Sequence, residues 1–225
     1  MQHRETTLTY SSILLNRILI SLLLFAFASL AQAGNIVDDA RQSIQLDDVS
    51  GVKDDLLRGL DVNFIDQDGN SLLMLAAKEG STKSAALLLG AGARIHLNNA
   101  VGDNALLLAT FWGHEGIVDL LLARQASLGA NPRGWTPLHY AAYAGHTRIA
   151  SKFLSHGADV NSVTANGLSS LMLAAKNGHD DVVKVLLNNK ADTALRDDNK
   201  LNAIDHALAS NNTNIATFIA TAGKN

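Results

Sequence analysis

Apolar positions in this chain fall in short clusters of helical spacing, and the clusters recur at a fixed interval. Gly69-Asn-Ser-Leu-Leu-Met-Leu-Ala-Ala77, Gly102-Asp-Asn-Ala-Leu-Leu-Leu-Ala-Thr110, Gly134-Trp-Thr-Pro-Leu-His-Tyr-Ala-Ala142 and Gly167-Leu-Ser-Ser-Leu-Met-Leu-Ala-Ala175 align, with leading glycines 33, 32 and 33 residues apart. A fifth copy begins at Lys200 without its glycine. The same step carries a second series, Gly80, Gly113, Gly145, Gly178 and then Asn211. It also carries the apolar pairs Leu88-Leu89, Leu121-Leu122, Phe153-Leu154 and Leu186-Leu187. Three markers with one period identify a repeat array.

Each unit reads as two short helices. In the third unit Thr136 is placed to cap the first helix, with Pro137 in its first turn, where a missing N–H costs nothing. Ala141-Ala142 allows close approach of neighbouring helices, and Gly145 ends the helix in a left-handed conformation before His146 opens the second. Ile149, Phe153 and Leu154 form the apolar face of that second helix. Gly157-Ala158-Asp159-Val160-Asn161 is the turn into the next unit.

Thr136-Pro137-Leu138-His139-Tyr140-Ala141-Ala142, Gly145-His146 and the Gly157–Asn161 turn resemble the ankyrin repeat nearly residue for residue. The other units carry looser versions, Ser-Leu-Leu-Met, Asn-Ala-Leu-Leu and Ser-Ser-Leu-Met, similar to exported bacterial members of that family. The resemblance spans about residues 48 to 220. It implies an all-α solenoid of helix-turn-helix units joined by hairpin-like loops, about six units with caps, and for function it implies protein–protein recognition. The expected division is a signal peptide at 1–33, an N-terminal capping unit at 34–66, four central repeats at 67–197 and a C-terminal cap at 198–225. In the first cap Val52, Leu56 and Leu57 are expected on the packed side of the second helix. In the last, Asn199, Asn202, Asn211 and Asn212 replace packing and glycine positions, as a unit with no neighbour on one side requires. The loop between Leu122 and Gly134 is one residue short, with Asn131-Pro132-Arg133-Gly134 at its tip.

Ahead of the repeats, Arg4 and Arg17 precede an uncharged apolar stretch from Ile18 to Leu30, followed by Ala31-Gln32-Ala33 and Gly34. A basic lead, a short apolar core and an Ala-x-Ala end form a secretory signal. At thirteen residues the apolar stretch is short of the about 20 that a spanning helix needs. Cleavage after Ala33 is therefore expected, giving a periplasmic or secreted protein with no membrane segment.

The net charge of −3 argues against a nucleic-acid surface, which needs clustered Lys and Arg. The absence of cysteine excludes disulfides, thiolate metal sites, a cysteine nucleophile and a lipoprotein anchor. His114, His146 and His179 share one repeat slot, but helices pack about 8–10 Å apart, too far for rings that must each reach one zinc at about 2.0–2.1 Å. They are read as loop hydrogen-bonders, and no metal or cofactor is expected. The resemblance assigns His139 to bracing successive units; His96, His156 and His206 are read as surface or loop residues. Gly90-Ala-Gly92 ends a helix where a phosphate loop would start one. No spacing of serines or carboxylates suggests a nucleophile or an acid–base pair, so no catalytic residue is assigned.

The remaining feature is aromatic. Phe111-Trp112 precede Gly113, Tyr143-Ala144 occupy the same slots one unit later, and Trp135 follows Gly134. The resemblance places these slots in the family's concave groove. Elsewhere the paired slots hold Lys78-Glu79 and Lys176-Asn177, so an aromatic centre has a polar rim, the arrangement of a binding hot spot. Phe111, Trp112, Arg133, Trp135 and Tyr143 are the candidate partner-binding residues. The expected function is a monomeric, non-catalytic periplasmic scaffold for a partner protein. The alternative is a secreted factor acting on a host or competitor protein; an enzyme would need titratable groups where the aromatics stand.

Overall fold

The computed structural model describes residues 36–222, so the signal segment expected at 1–33 lies outside the described residues. Within that range the chain forms six helix pairs: α1 (36–45) with α2 (Val49–Leu57), α3 (Leu72–Glu79) with α4 (Thr82–Gly90), α5 (Ala105–Trp112) with α6 (Glu115–Leu122), α7 (Pro137–Ala144) with α8 (Thr147–Ser155), α9 (Ser170–Asn177) with α10 (Asp180–Asn188), and α11 (Ala203–Ala209) with α12 (Thr213–Ala222). From α3 to α11 the first helix of each pair packs on the first helix of the next, and from α2 to α12 the second helices do likewise. The result is an all-α solenoid of two helical layers, joined by hairpin loops that add only the isolated bridges Ile65–Ser71 and Val163–Ser169.

Each first helix starts the same way. Ser71, Asn104, Thr136, Ser169 and Asn202 take extended backbone angles, and each side-chain oxygen accepts the N–H three residues on. In the third unit the return bond is made by His139, whose Nδ1 accepts the Thr136 N–H at 3.0 Å. Met74 and Met172 stand in the same slot and present sulfur to the Ser71 and Ser169 N–H groups at 3.4 Å. A thioether reproduces that local bond. It has no second polar atom, whereas His139 also donates from Nε2 to the Ser162 carbonyl of the next hairpin at 3.0 Å.

The small residues behind these caps are what bring the layers together. Ala76-Ala77, Ala141-Ala142 and Ala174-Ala175 have no exposed surface, so neighbouring first helices meet over methyl groups. Val52, Leu88, Ile117, Leu121, Ile149, Phe153, Val182, Leu186 and Ile219 fill the space between the layers in one continuous core. Two expectations need correction. Leu57 is 75% exposed, because the face of α2 that meets the core carries Val52 and Leu56 instead. Leu154 is only partly buried, and Phe153 is the residue fully enclosed on α8.

The glycine before each second helix serves two ends. Gly113 has φ 78°, and a Cβ there would lie 2.6 Å from the His146 ring of the next unit. That ring donates from Nε2 to the Phe111 carbonyl at 3.0 Å, as His114 does to Lys78 and His179 to Tyr143. The three histidines are thus staples between successive units. In the last unit Asn211 keeps the left-handed angle, with φ 62° and no glycine. Asn212 replaces the imidazole with an amide that reaches the Ala175 and Lys176 carbonyls at 2.9 and 3.0 Å.

Candidate binding pocket

The five candidate residues come together. Phe111 and Trp112 end α5, Tyr143 lies near the end of α7, and Arg133 and Trp135 belong to the hairpin that enters α7. The Phe111 ring is edge-on to Trp112 at 5.3 Å between centroids and stacked with Tyr143 at 6.3 Å. Trp135 meets Tyr143 edge-on at 5.8 Å and Tyr140 at 5.1 Å. These edge-to-face and offset contacts are the preferred aromatic geometries. Trp112 and Tyr143 remain 50% and 43% exposed, while Phe111 and Trp135 are partly buried. Trp135 packs on the core with one part of its ring and still lines the pocket with another.

Together with Asn70, Lys78, Asn99, Asp103, Leu108 and Tyr140, the five residues surround a pocket of about 510 Å³. That volume falls within the about 300–1,000 Å³ of pockets that enclose a small ligand, so it has room for a large side chain.

A polar network of Asp103, Tyr140, Asn131 and Arg133 adjoins the aromatics. Asp103 Oδ1 accepts the Tyr140 hydroxyl at 2.6 Å, Asn131 Nδ2 at 2.9 Å and an Arg133 guanidinium nitrogen at 3.4 Å. Burial, followed by the bond to Asp103 and its negative charge, pushes the Tyr140 hydroxyl well above the usual tyrosine range, so it stays a donor. Asn131 Oδ1 in turn accepts the Arg133 and Trp135 N–H groups, both at 3.0 Å, which folds the hairpin tip that carries them. Sequence reasoning identified the rings and missed Asp103, Tyr140 and Asn131. The signal was present at Tyr140, whose slot holds Leu75, Leu108 and Leu173 in other units.

The same slot in the last unit is His206, read above as a surface or loop residue. It is instead buried, and its Nε2 lies 3.0 Å from an Asp197 carboxylate oxygen. Asp197 stands in the slot of Asn131, so the capping unit rebuilds the hydroxyl–amide floor as an imidazole–carboxylate pair. No cluster of three His, Asp or Glu side chains suited to a metal ion occurs among the described residues, and no described helix is long and apolar enough to cross a membrane.

The family model for ankyrin repeats (three copies) matches residues 45–131, 73–164, 124–197 and 151–225, most of the chain. An L-asparaginase of Dirofilaria immitis is 31% identical over 150 residues, 66% of this chain and 25% of that protein. The nuclear factor NF-kappa-B p105 subunit of Gallus gallus is 36% identical over 142 residues, 60% of this chain and 14% of its own length. The transient receptor potential cation channel subfamily A member 1 of Homo sapiens is 30% identical over 191 residues, 66% of this chain and 17% of the channel. The matched region thus makes up a quarter or less of each relative.

Proposed function

The chain belongs to the ankyrin-repeat family, and from that premise we propose that it is a non-catalytic scaffold, exported to the bacterial periplasm, that binds a partner protein through the aromatic pocket and the adjoining hairpin tips. Ankyrin repeats are in general protein-interaction scaffolds. The observation that carries the reading is the pair Trp112 and Tyr143, half exposed yet held in fixed orientations by Phe111 and Trp135. Rigid aromatics ready to lose their remaining water are the usual anchors of protein interfaces. Export rests on the basic lead, the Ile18–Leu30 stretch and the Ala31-Gln32-Ala33 end.

The test is a Trp112→Ala, Tyr143→Ala double variant, compared with the parent in crosslinking and pull-down from the cell envelope. It should keep the parent's circular dichroism and lose its partner, since removing one central aromatic anchor costs about 2 kcal/mol or more, roughly thirtyfold in affinity. A folded double variant that still captures its partner at full strength moves the contact surface elsewhere. For export, the intact mass of the periplasmic form should correspond to a chain beginning at Gly34. A species that retains Ile18–Leu30 would mean a membrane anchor.

A further inference from the structure

The charges around the pocket specify the segment it accepts, an inference that rests on the reading above. Three cations stand along the aromatic centre. Lys78 lines one end of the pocket, Arg133 lines its wall, and Lys176 takes the slot of Tyr143 one unit further on. Neither lysine makes an ion pair among the described residues. Arg133 is 55% exposed and is held through one nitrogen, at 3.4 Å from both Asp103 and the Tyr140 hydroxyl. Its remaining donors have no partner among the described residues. Asp103, the one carboxylate lining the pocket, has an oxygen shared by three donors, and an incoming cation would have to displace Arg133 to reach it. Among the residues lining the pocket the accessible charges are therefore the cations Lys78 and Arg133, around an apolar centre, with Lys176 on one side and Glu79 in the slot of Trp112 on the other, in a chain whose net charge is −3.

We propose that the occupant is an acidic segment of the partner protein, in which one aromatic or large aliphatic side chain enters the pocket and flanking Asp or Glu carboxylates meet Lys78, Arg133 and Lys176. A planar guanidinium with free donors suits a carboxylate better than any neutral group. A buried anchor with charges at its rim supplies affinity from the first and selectivity from the second.

Trp112 and Trp135 are the two tryptophans of the chain and both line the pocket, so intrinsic fluorescence reports directly on its occupancy. The probes are synthetic nonapeptides with a central Phe, flanked by Asp and Glu, by Asn and Gln, or by Lys and Arg. The acidic peptide should shift the emission at the lowest concentration, and added salt should weaken it selectively. Lys78→Gln and Arg133→Gln should each weaken it about two- to fivefold, the effect of one partly exposed charge pair, and weaken the neutral peptide by less. Lys184→Gln, which removes a cation already paired with Asp181, should have no effect.

Equal binding of neutral and acidic peptides, or preference for the basic one, overturns the charge inference while leaving the pocket in use. If no peptide moves the fluorescence but the Trp112→Ala, Tyr143→Ala variant loses its partner, the partner is not read as a linear acidic segment. The inference then fails and the proposed function stands. If that variant also binds its partner normally, both fail.

Discussion

The Tyr140 hydroxyl on α7 donates at 2.6 Å to the Asp103 carboxylate of the hairpin that enters α5, a bond between residues 37 apart that joins adjacent units beside the aromatic pocket. Asp103 is 7% exposed and Tyr140 8%, so neither group has water as a ready substitute. A buried carboxylate deprived of its closest donor carries an uncompensated desolvation cost.

Tyr140→Phe should therefore lower stability by about 1–3 kcal/mol, read from the midpoint of urea unfolding. Tyr143→Phe is the control, because its hydroxyl makes no hydrogen bond among the described residues and its ring contacts are retained. Equal effects from the two changes would show that the Asp103 bond contributes nothing specific.

The two apolar residues ending α8 should separate in the same assay. Phe153 is fully enclosed, and Phe153→Ala should cost about 3–5 kcal/mol. Leu154 already keeps part of its surface in water, so Leu154→Ala should cost roughly 1–2 kcal/mol. Because stability in a repeat array resides in interfaces between neighbours, hydrogen exchange in the Phe153→Ala variant should quicken in α6 and α10 as well. Loss of protection confined to α8 would contradict this.

Acid should reveal the buried imidazole of His139. Burial lowers its pKa to about 4, whereas an unfolded histidine takes a proton near about 6.5. Between those values the unfolded chain binds more protons than the folded one. The stability associated with neutral His139 is thus complete above about pH 6.5 and falls as pH drops toward about 4, by about 3 kcal/mol across the window. His139→Gln should be less stable at neutral pH and show a shallower fall over this range. Parallel curves for parent and variant would assign the acid sensitivity to other groups.

Much of the fold was legible because the repeat is written in local chemistry. Ser, Thr or Asn caps, left-handed glycines and paired alanines each dictate a backbone conformation within a few residues, and each recurs with the period of the array. The aromatic group was legible for the same reason: the period places Phe111 and Tyr143 in equivalent slots on adjacent units. The family resemblance covered the chain because these local signals survive even where His139 is replaced by Met74 or Met172.

What the sequence determined by itself was therefore the architecture and the clustering of the rings. What only the tertiary structure decided was how contacts between units are shared out. Helical periodicity treats Phe153 and Leu154 as one apolar pair, and only the packing of α8 against its neighbours encloses the first fully and the second in part. Spacing likewise left His206 as a lone polar residue, because its partner Asp197 is brought to it by the hairpin that precedes α11. Asp103 gave no local signal, since its carboxylate is satisfied by groups of the next unit, and the side-chain nitrogen of Asn131 finds that carboxylate only when the units stack. Asn211 keeps a left-handed backbone where other units carry glycine, and only the stacking of units shows that a Cβ at Gly80, Gly113 or Gly145 would meet the next unit's histidine ring. In a solenoid, short-range conformation is set within each unit, while burial and polar pairing are set by the neighbours it stacks on.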